Sequence, residues 1–159
     1  MRSPLNSISL DARIEAVRRH ALSLAAIVFA LVLLSPNGVA SACTCADPSV
    51  KDAFVQAEAV FVGAVSDLGL DYSKHERVTG FSVQRVFKGA VPQRIRVVSA
   101  LTEAACGYPF ARGTSYLVFT RTLSGRAFTW LCAGNRALAA GAQPPPELGA
   151  GSAPAKSVQ

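Results

Sequence analysis

The spacing of apolar positions changes character several times along the chain. Arg13, Arg18 and Arg19 precede an apolar run over 21–34 that only Ser23 interrupts. Ser35, Pro36, Asn37 and Gly38 then stop any helix, and Ala40-Ser41-Ala42 forms a small-residue cleavage signature. A basic head, a short apolar middle and a small-residue end describe a secretory signal peptide over 1–42. The run is shorter than the ~20 residues a spanning helix needs. Beyond it, Asp47-Pro48 predicts a helix start, with Asp47 capping free amides and Pro48 at the first turn. Val50, Ala53, Phe54 and Ala57 then fall on one face of a short helix.

From residue 60 the period becomes two. Residues 60–65 predict a strand apolar on both faces, bent at Gly63. Residues 67–76 predict a polar loop. Phe81 and Val83 alternate with Ser82 and Gln84 in a second strand, which ends at Lys88-Gly89. Ile95 and Val97 alternate with Arg94 and Arg96 in a third. Residues 116–119 predict a fourth strand and 128–131 a fifth, joined as a hairpin across Ser124-Gly125. Five short strands with turn signals between them predict a mainly β fold, a small closed barrel preceded by one short helix. From 139 the chain is rich in Ala, Gly and Pro and lacks aromatics, which predicts a disordered tail over 139–159. The folded unit is then 43–138.

Composition refines this picture in one respect. All four cysteines, Cys43, Cys45, Cys106 and Cys132, follow the cleavage signature. An even count in an exported chain implies disulfides, with three pairings open. A four-thiolate zinc site would favour tight C-x2–4-C pairs, and only Cys43 and Cys45 are close. A folded unit of under about a hundred residues has a marginal core, where cross-links contribute most.

Charge adds little. Of 16 basic and 10 acidic residues, the leader carries four arginines and two acids, so the remainder has a net charge of +4. Arg85, Lys88, Arg94, Arg96, Arg121 and Arg126 read as the solvent face of strands, not as a groove for single-stranded nucleic acid. His75 stands alone in a polar stretch and reads as solvated. Asp71 and Glu103 are the loop carboxylates placed to act as acid–base groups, but neither has a His or Ser partner in the sequence. No catalytic constellation is visible, so the chain is expected not to be an enzyme and to carry no cofactor of its own.

Three segments together resemble the tissue inhibitors of metalloproteinases, within the netrin-like family. Cys43-Thr44-Cys45, followed by Pro48, Ala53-Phe54 and Val62-Gly63, looks like the start of their mature chain. Glu103-Ala104-Ala105-Cys106-Gly107-Tyr108 is similar to their central disulfide loop. Thr129-Trp130-Leu131-Cys132 is similar to the strand end that carries another of their cysteines. The resemblance implies a five-stranded OB-like barrel with Cys43 bonded to Cys106 and Cys45 to Cys132. Closing the first loop would contribute about 4 kcal/mol in the chain-entropy account. The animal inhibitors carry a further disulfide and a second domain, so the resemblance implies a single-domain relative of bacterial type.

In that family the first cysteine chelates a protease's catalytic zinc through its α-amine and its own carbonyl oxygen. The resemblance thus implies that Cys43 meets a zinc supplied by a partner metalloprotease. Thr44 would enter the protease's specificity pocket, with Ala104 and Ala105 packed beside it. The implied product is a secreted or periplasmic protein, monomeric, with no nucleic-acid partner. Two other readings share these residues: an exported module that binds another envelope or extracellular protein, and a lipoprotein acylated at Cys43 and so attached to a membrane.

Overall fold

The computed structural model describes residues 43–156, so the leader expected over 1–42 lies outside the described residues. Helix α1 spans Val50–Gln56. Strands β1 to β6 span Ala59–Asp71, Glu76–Lys88, Arg94–Ala100, Ser115–Leu123, Arg126–Phe128 and Arg136–Leu138. Their order in the sheet is β1-β2-β3-β5-β4-β6, and β4 also pairs back onto β1. Five strands therefore form a partial ring, as in an OB-like barrel, with β6 added outside it. Every pairing is antiparallel except the two-residue contact of β3 with β5.

Strand β1 is buried on both faces because alternate residues enter two different cores. Phe61 and Val65 point into the barrel with Phe81, Val97, Phe110, Tyr116 and Val118. Val60 and Val62 point outward, where α1 covers them with Val50, Ala53 and Ala57. Strand β4 repeats the division: Tyr116 and Val118 lie inside, Leu117 and Phe119 under the helix. Edge-to-face ring contacts run from Phe61 to Phe81, Phe81 to Phe110 and Phe110 to Tyr116, at centroid distances of 5.5, 5.0 and 4.9 Å. Full burial of each such ring contributes about 1.5–3 kcal/mol.

Three register shifts bend β1, at Val60/Phe61, Val62/Gly63 and Val65/Asp67. A bulge strengthens local twist and lets a strand wrap a small barrel. Gly63 sits at one of them. A Cβ there would lie 3.0 Å from the Ser82 carbonyl oxygen, tighter than most real contacts, so the neighbouring strand would have to give.

Four expectations need correction. The helix cap is Ser49, whose Oγ accepts from the Asp52 amide at 3.1 Å, and Asp47 lies before it. The stretch 67–76 is a loop only over 72–75: β1 runs through Asp71 and β2 begins at Glu76, because the main-chain ladder continues with polar and glycine residues in it. The fifth strand is Arg126–Phe128, and Leu131–Ala133 is a 3-10 turn that carries Cys132. The segment expected as a disordered tail is described through residue 156, with a 3-10 turn at Pro146–Leu148 and bridges from Ser152 to Val86 and Ala155 to Pro92. Main-chain hydrogen bonds order it, a contribution that side-chain composition does not report.

Candidate functional site

The cysteine connections bring residues 43–45 together with two turns distant in sequence. Cys43 is bonded to Cys106 and Cys45 to Cys132, with Cα–Cα distances of 5.5 and 5.2 Å. Both distances are ordinary for disulfides. The Leu131 amide also donates to the Cys106 carbonyl oxygen at 2.8 Å, so the two receiving turns are joined directly. Thr44, held between the two bridged cysteines, is exposed.

The turn that receives Cys43 is a 3-10 helix over Glu103–Ala105. Thr102 caps it, Oγ1 accepting from the Ala105 amide at 3.3 Å. The Cys106 amide donates to the Glu103 carbonyl at 2.9 Å and the Gly107 amide to the Thr102 carbonyl at 2.8 Å. Cys106 then takes a left-handed φ of 68°, a conformation that costs an L-residue about 1–2 kcal/mol. Gly107 is required next, because a Cβ there would fall on the Ala100 carbonyl. The turn projects Glu103, Ala104 and Ala105 into solvent, and Cys43 Sγ lies 3.9 Å from the Ala104 carbonyl oxygen. Every residue expected at the site is thus brought together: Cys43, Thr44 and Cys45 on one segment, Ala104 and Ala105 on the turn beside it.

The Cys132 side is fixed by a buried polar network. Asn135 Nδ2 donates to Thr129 Oγ1 at 2.8 Å, and Asn135 Oδ1 accepts from the Phe119 amide at 2.9 Å. Thr129 Oγ1 donates to the Phe119 carbonyl at 2.8 Å, and the Tyr108 hydroxyl to the Asn135 carbonyl at 3.2 Å. Beyond the cysteines, Arg136 Nη2 donates to the Pro48 carbonyl at 2.9 Å and lies 3.8 Å from Asp47. The segment from Cys43 to α1 is therefore held at both ends. Asn135, Thr129 and Arg136 carry no sequence signal for this role: Thr129 and Asn135 lie outside the strands, and β6 is too short to show a period.

The tip of the β1–β2 hairpin borders the turn that receives Cys43. The Leu101 amide donates to the His75 carbonyl at 2.9 Å, and Arg77 Nη2 to the Leu101 carbonyl at 3.1 Å, one residue before the Thr102 cap. Leu70 and Tyr72 stand 49% and 69% exposed at this tip. His75 takes a φ of 54° in the reversal.

Of the two acid–base candidates, Asp71 has structural partners. Asp71 accepts from Ser73 Oγ at 2.6 Å and from the Lys74 amide at 3.2 Å, and Lys74 Nζ lies 3.2 Å away. These contacts, the Ser73 hydrogen bond foremost, bring its pKa down to about 2. Its carboxylate fastens the hairpin turn. Glu76 is bidentate to Arg126 at 2.7 and 2.6 Å, which holds its carboxyl below the usual range. Glu103 is exposed, and its carbonyl serves the turn.

Several of the basic residues are likewise engaged within the molecule. Lys88 Nζ donates to the Phe54 and Val55 carbonyls at the end of α1, at 2.8 and 3.2 Å. Arg121 lies 5.0 Å over the Trp130 ring and donates to Gln56. Arg85, Arg94 and Arg96 are exposed on the strands. Among the described residues, no group of three or more His, Cys, Asp and Glu side chains is placed to hold a metal ion, and no helix is long and apolar enough to cross a membrane. Two disulfides are the pattern of proteins that fold in an oxidising compartment. Comparison of the chain with family models and with curated proteins gave no match.

Proposed function

We propose that this protein is a secreted inhibitor of zinc metalloendopeptidases that acts through a mature N-terminus at Cys43. The observation that carries this reading is the exposed ridge of Thr44, Ala104 and Ala105, fixed by two disulfides that converge on the segment from Cys43 to Cys45. Such a ridge is narrow, apolar at its flanks and already ordered, so docking into a protease cleft costs little conformational entropy.

The chemistry follows from the metal. A catalytic zinc keeps one position for water, and that water becomes the nucleophile. Once the leader is removed, the α-amine and carbonyl oxygen of Cys43 can close a five-membered chelate on the zinc and displace the water. The amine must be neutral to bind, and α-amino groups ordinarily titrate at about 7.7–8.0, so the metal displaces a weakly held proton at neutral pH. Thr44 then points into the protease's first specificity pocket, while Ala104 and Ala105 flank it. The apolar hairpin tip at Leu70 and Tyr72 offers a second contact.

The test is inhibition of a panel of zinc endopeptidases by chains beginning at Cys43 and by chains with one alanine added before it. The added residue converts the amine to an amide and moves the terminus. Inhibition by the first chain and its loss in the second is the expected result. Equal inhibition by both would refute chelation, and inhibition by neither would leave a module that binds another extracellular protein.

A further inference from the structure

The last described segment occupies a gap in the barrel wall, and the way it fits identifies the gap as a binding slot. Strands β2 and β3 pair only as far as Ser82 with Arg94, followed by one hydrogen bond from the Val83 amide to the Gln93 carbonyl at 2.8 Å. Beyond that point the two arms splay. The backbone groups of Val86 on one arm and of Val91 and Gln93 on the other then face a space that no strand of the sheet fills. Residues 151–155 fill it. The Val86 amide donates to the Ser152 carbonyl at 2.9 Å, and the Ser152 amide donates back at 2.7 Å. The Gln93 amide donates to the Ala155 carbonyl at 3.2 Å, and the Ala155 amide to the Val91 carbonyl at 2.8 Å.

The two partners differ in rigidity. Val86 and Val91 pack in the barrel core with Phe61, Phe81 and Val118, so the barrel holds the walls of the slot. Gly151, Ser152, Ala153 and Ala155 are exposed, and only Pro154 is partly covered. A segment held by main-chain hydrogen bonds and little apolar contact opens locally at low free energy. The slot nevertheless selects what enters. Gly151 has a φ of 68°, and a Cβ there would lie 2.8–2.9 Å from Arg85 Cγ, Phe87 Cε1 and the Val86 carbonyl oxygen. Only glycine fits that position.

The structure assigns this gap as a peptide-binding slot for an extended Gly-Ser-Ala-Pro-Ala segment, filled in cis by the chain's own tail and in trans by the tail of a second copy. Every copy carries the matching segment, and exchange reproduces each slot contact. The intervening stretch 139–150 has positive φ at Gly141 and Gly149, and forms no strand. Fully extended, a stretch of that length reaches about 40 Å, enough to cross to a neighbour. A short flexible linker gives the cis tail an effective concentration in the millimolar range, so cis occupancy dominates in dilute solution.

The test compares wild-type and Gly151→Val chains beginning at Cys43, with a fluorescein-labelled peptide of residues 146–156. Valine should expel the tail, and the Val86 and Gln93 amides should exchange hydrogen at least ~10-fold faster as the local opening becomes the ground state. Excess peptide should restore their protection, and should bind wild type at least ~10-fold more weakly because the cis tail competes. Light scattering should show wild-type dimers growing toward millimolar concentration, and none for Gly151→Val. Ser152→Pro, which removes the amide that donates to Val86, gives a second variant with an empty slot. If the peptide protects neither variant, the slot assignment is overturned. If wild type stays monomeric at concentrations well above the millimolar effective concentration of its own tail, the second copy is excluded as its occupant.

Discussion

The described chain is held against its barrel at both ends, by opposite means. Residues 43–45 are bound by two covalent bridges, to Cys106 and Cys132. Residues 151–155 are bound by four main-chain hydrogen bonds to Val86, Val91 and Gln93. Neither segment has the apolar side chains to order itself by burial. The contrast shows two ways around that shortage. Disulfides fix atoms in place without needing contact area, which suits the proposed mature terminus, whose amine and carbonyl would be presented at set positions. Main-chain pairing gives order that can be undone and remade, which suits a segment that exchanges.

The comparison breaks most sharply if the covalent end is cut. Cys45→Ser with Cys132→Ser removes the bridge that spans 87 residues. Its loss should cost about 2–5 kcal/mol in chemical denaturation, and inhibition should fall with it. By contrast, Gly151→Val at the other end should shift the denaturation midpoint little, since it expels a segment that opens locally at low free energy. Equal losses from the two changes would erase the distinction between the ends.

A smaller effect is expected at Asn135, which supports the Cys132 turn without touching a partner. Asn135→Ala leaves the Phe119 amide and Thr129 hydroxyl without their buried acceptor and donor. A cost of about 1–3 kcal/mol should follow, read from urea unfolding. The smallest effect is local to the hairpin tip. Asp71 has a folded pKa lowered to about 2 by Ser73 and Lys74. A depressed carboxylate contributes stability that is present above its unfolded value near 3.9 and lost as pH falls through about 2. Protection of the Lys74 amide, which donates to this carboxylate, should therefore decline over that window, and Asp71→Asn should remove the pH dependence.

Much of the barrel is legible in the sequence because its strands alternate. Phe81 against Ser82, and Ile95 against Arg94 and Arg96, show a period of two that burial enforces. The far half of the β1–β2 hairpin is illegible for the converse reason. Asp67, Gly69 and Asp71 pair with Gly80, Val78 and Glu76 through the main-chain ladder alone. The helix is legible from Val50, Ala53 and Ala57, while its cap lies at Ser49, two residues past Asp47. Residues 151–155 are ordered by a gap in a distant pair of strands, which composition cannot reveal. At the site, the four cysteines are plain in the sequence, but arithmetic leaves three pairings and the resemblance implies one. The structure has that one, Cys43 with Cys106 and Cys45 with Cys132. Asn135 and Arg136 are single polar residues whose value depends on where Phe119 and Pro48 fall in space.

The proposed inhibition requires that the Cys43 amine and carbonyl reach a protease's metal. The most direct measurement is the visible absorption of a cobalt(II)-substituted zinc endopeptidase as the chain beginning at Cys43 is added. Cobalt bands report the ligand set, and chelation replaces an oxygen donor with a nitrogen and an oxygen from the same residue. A saturable spectral change at the stoichiometry of inhibition, absent with the alanine-extended chain, is the predicted result. Binding that leaves the cobalt spectrum unchanged would contradict chelation.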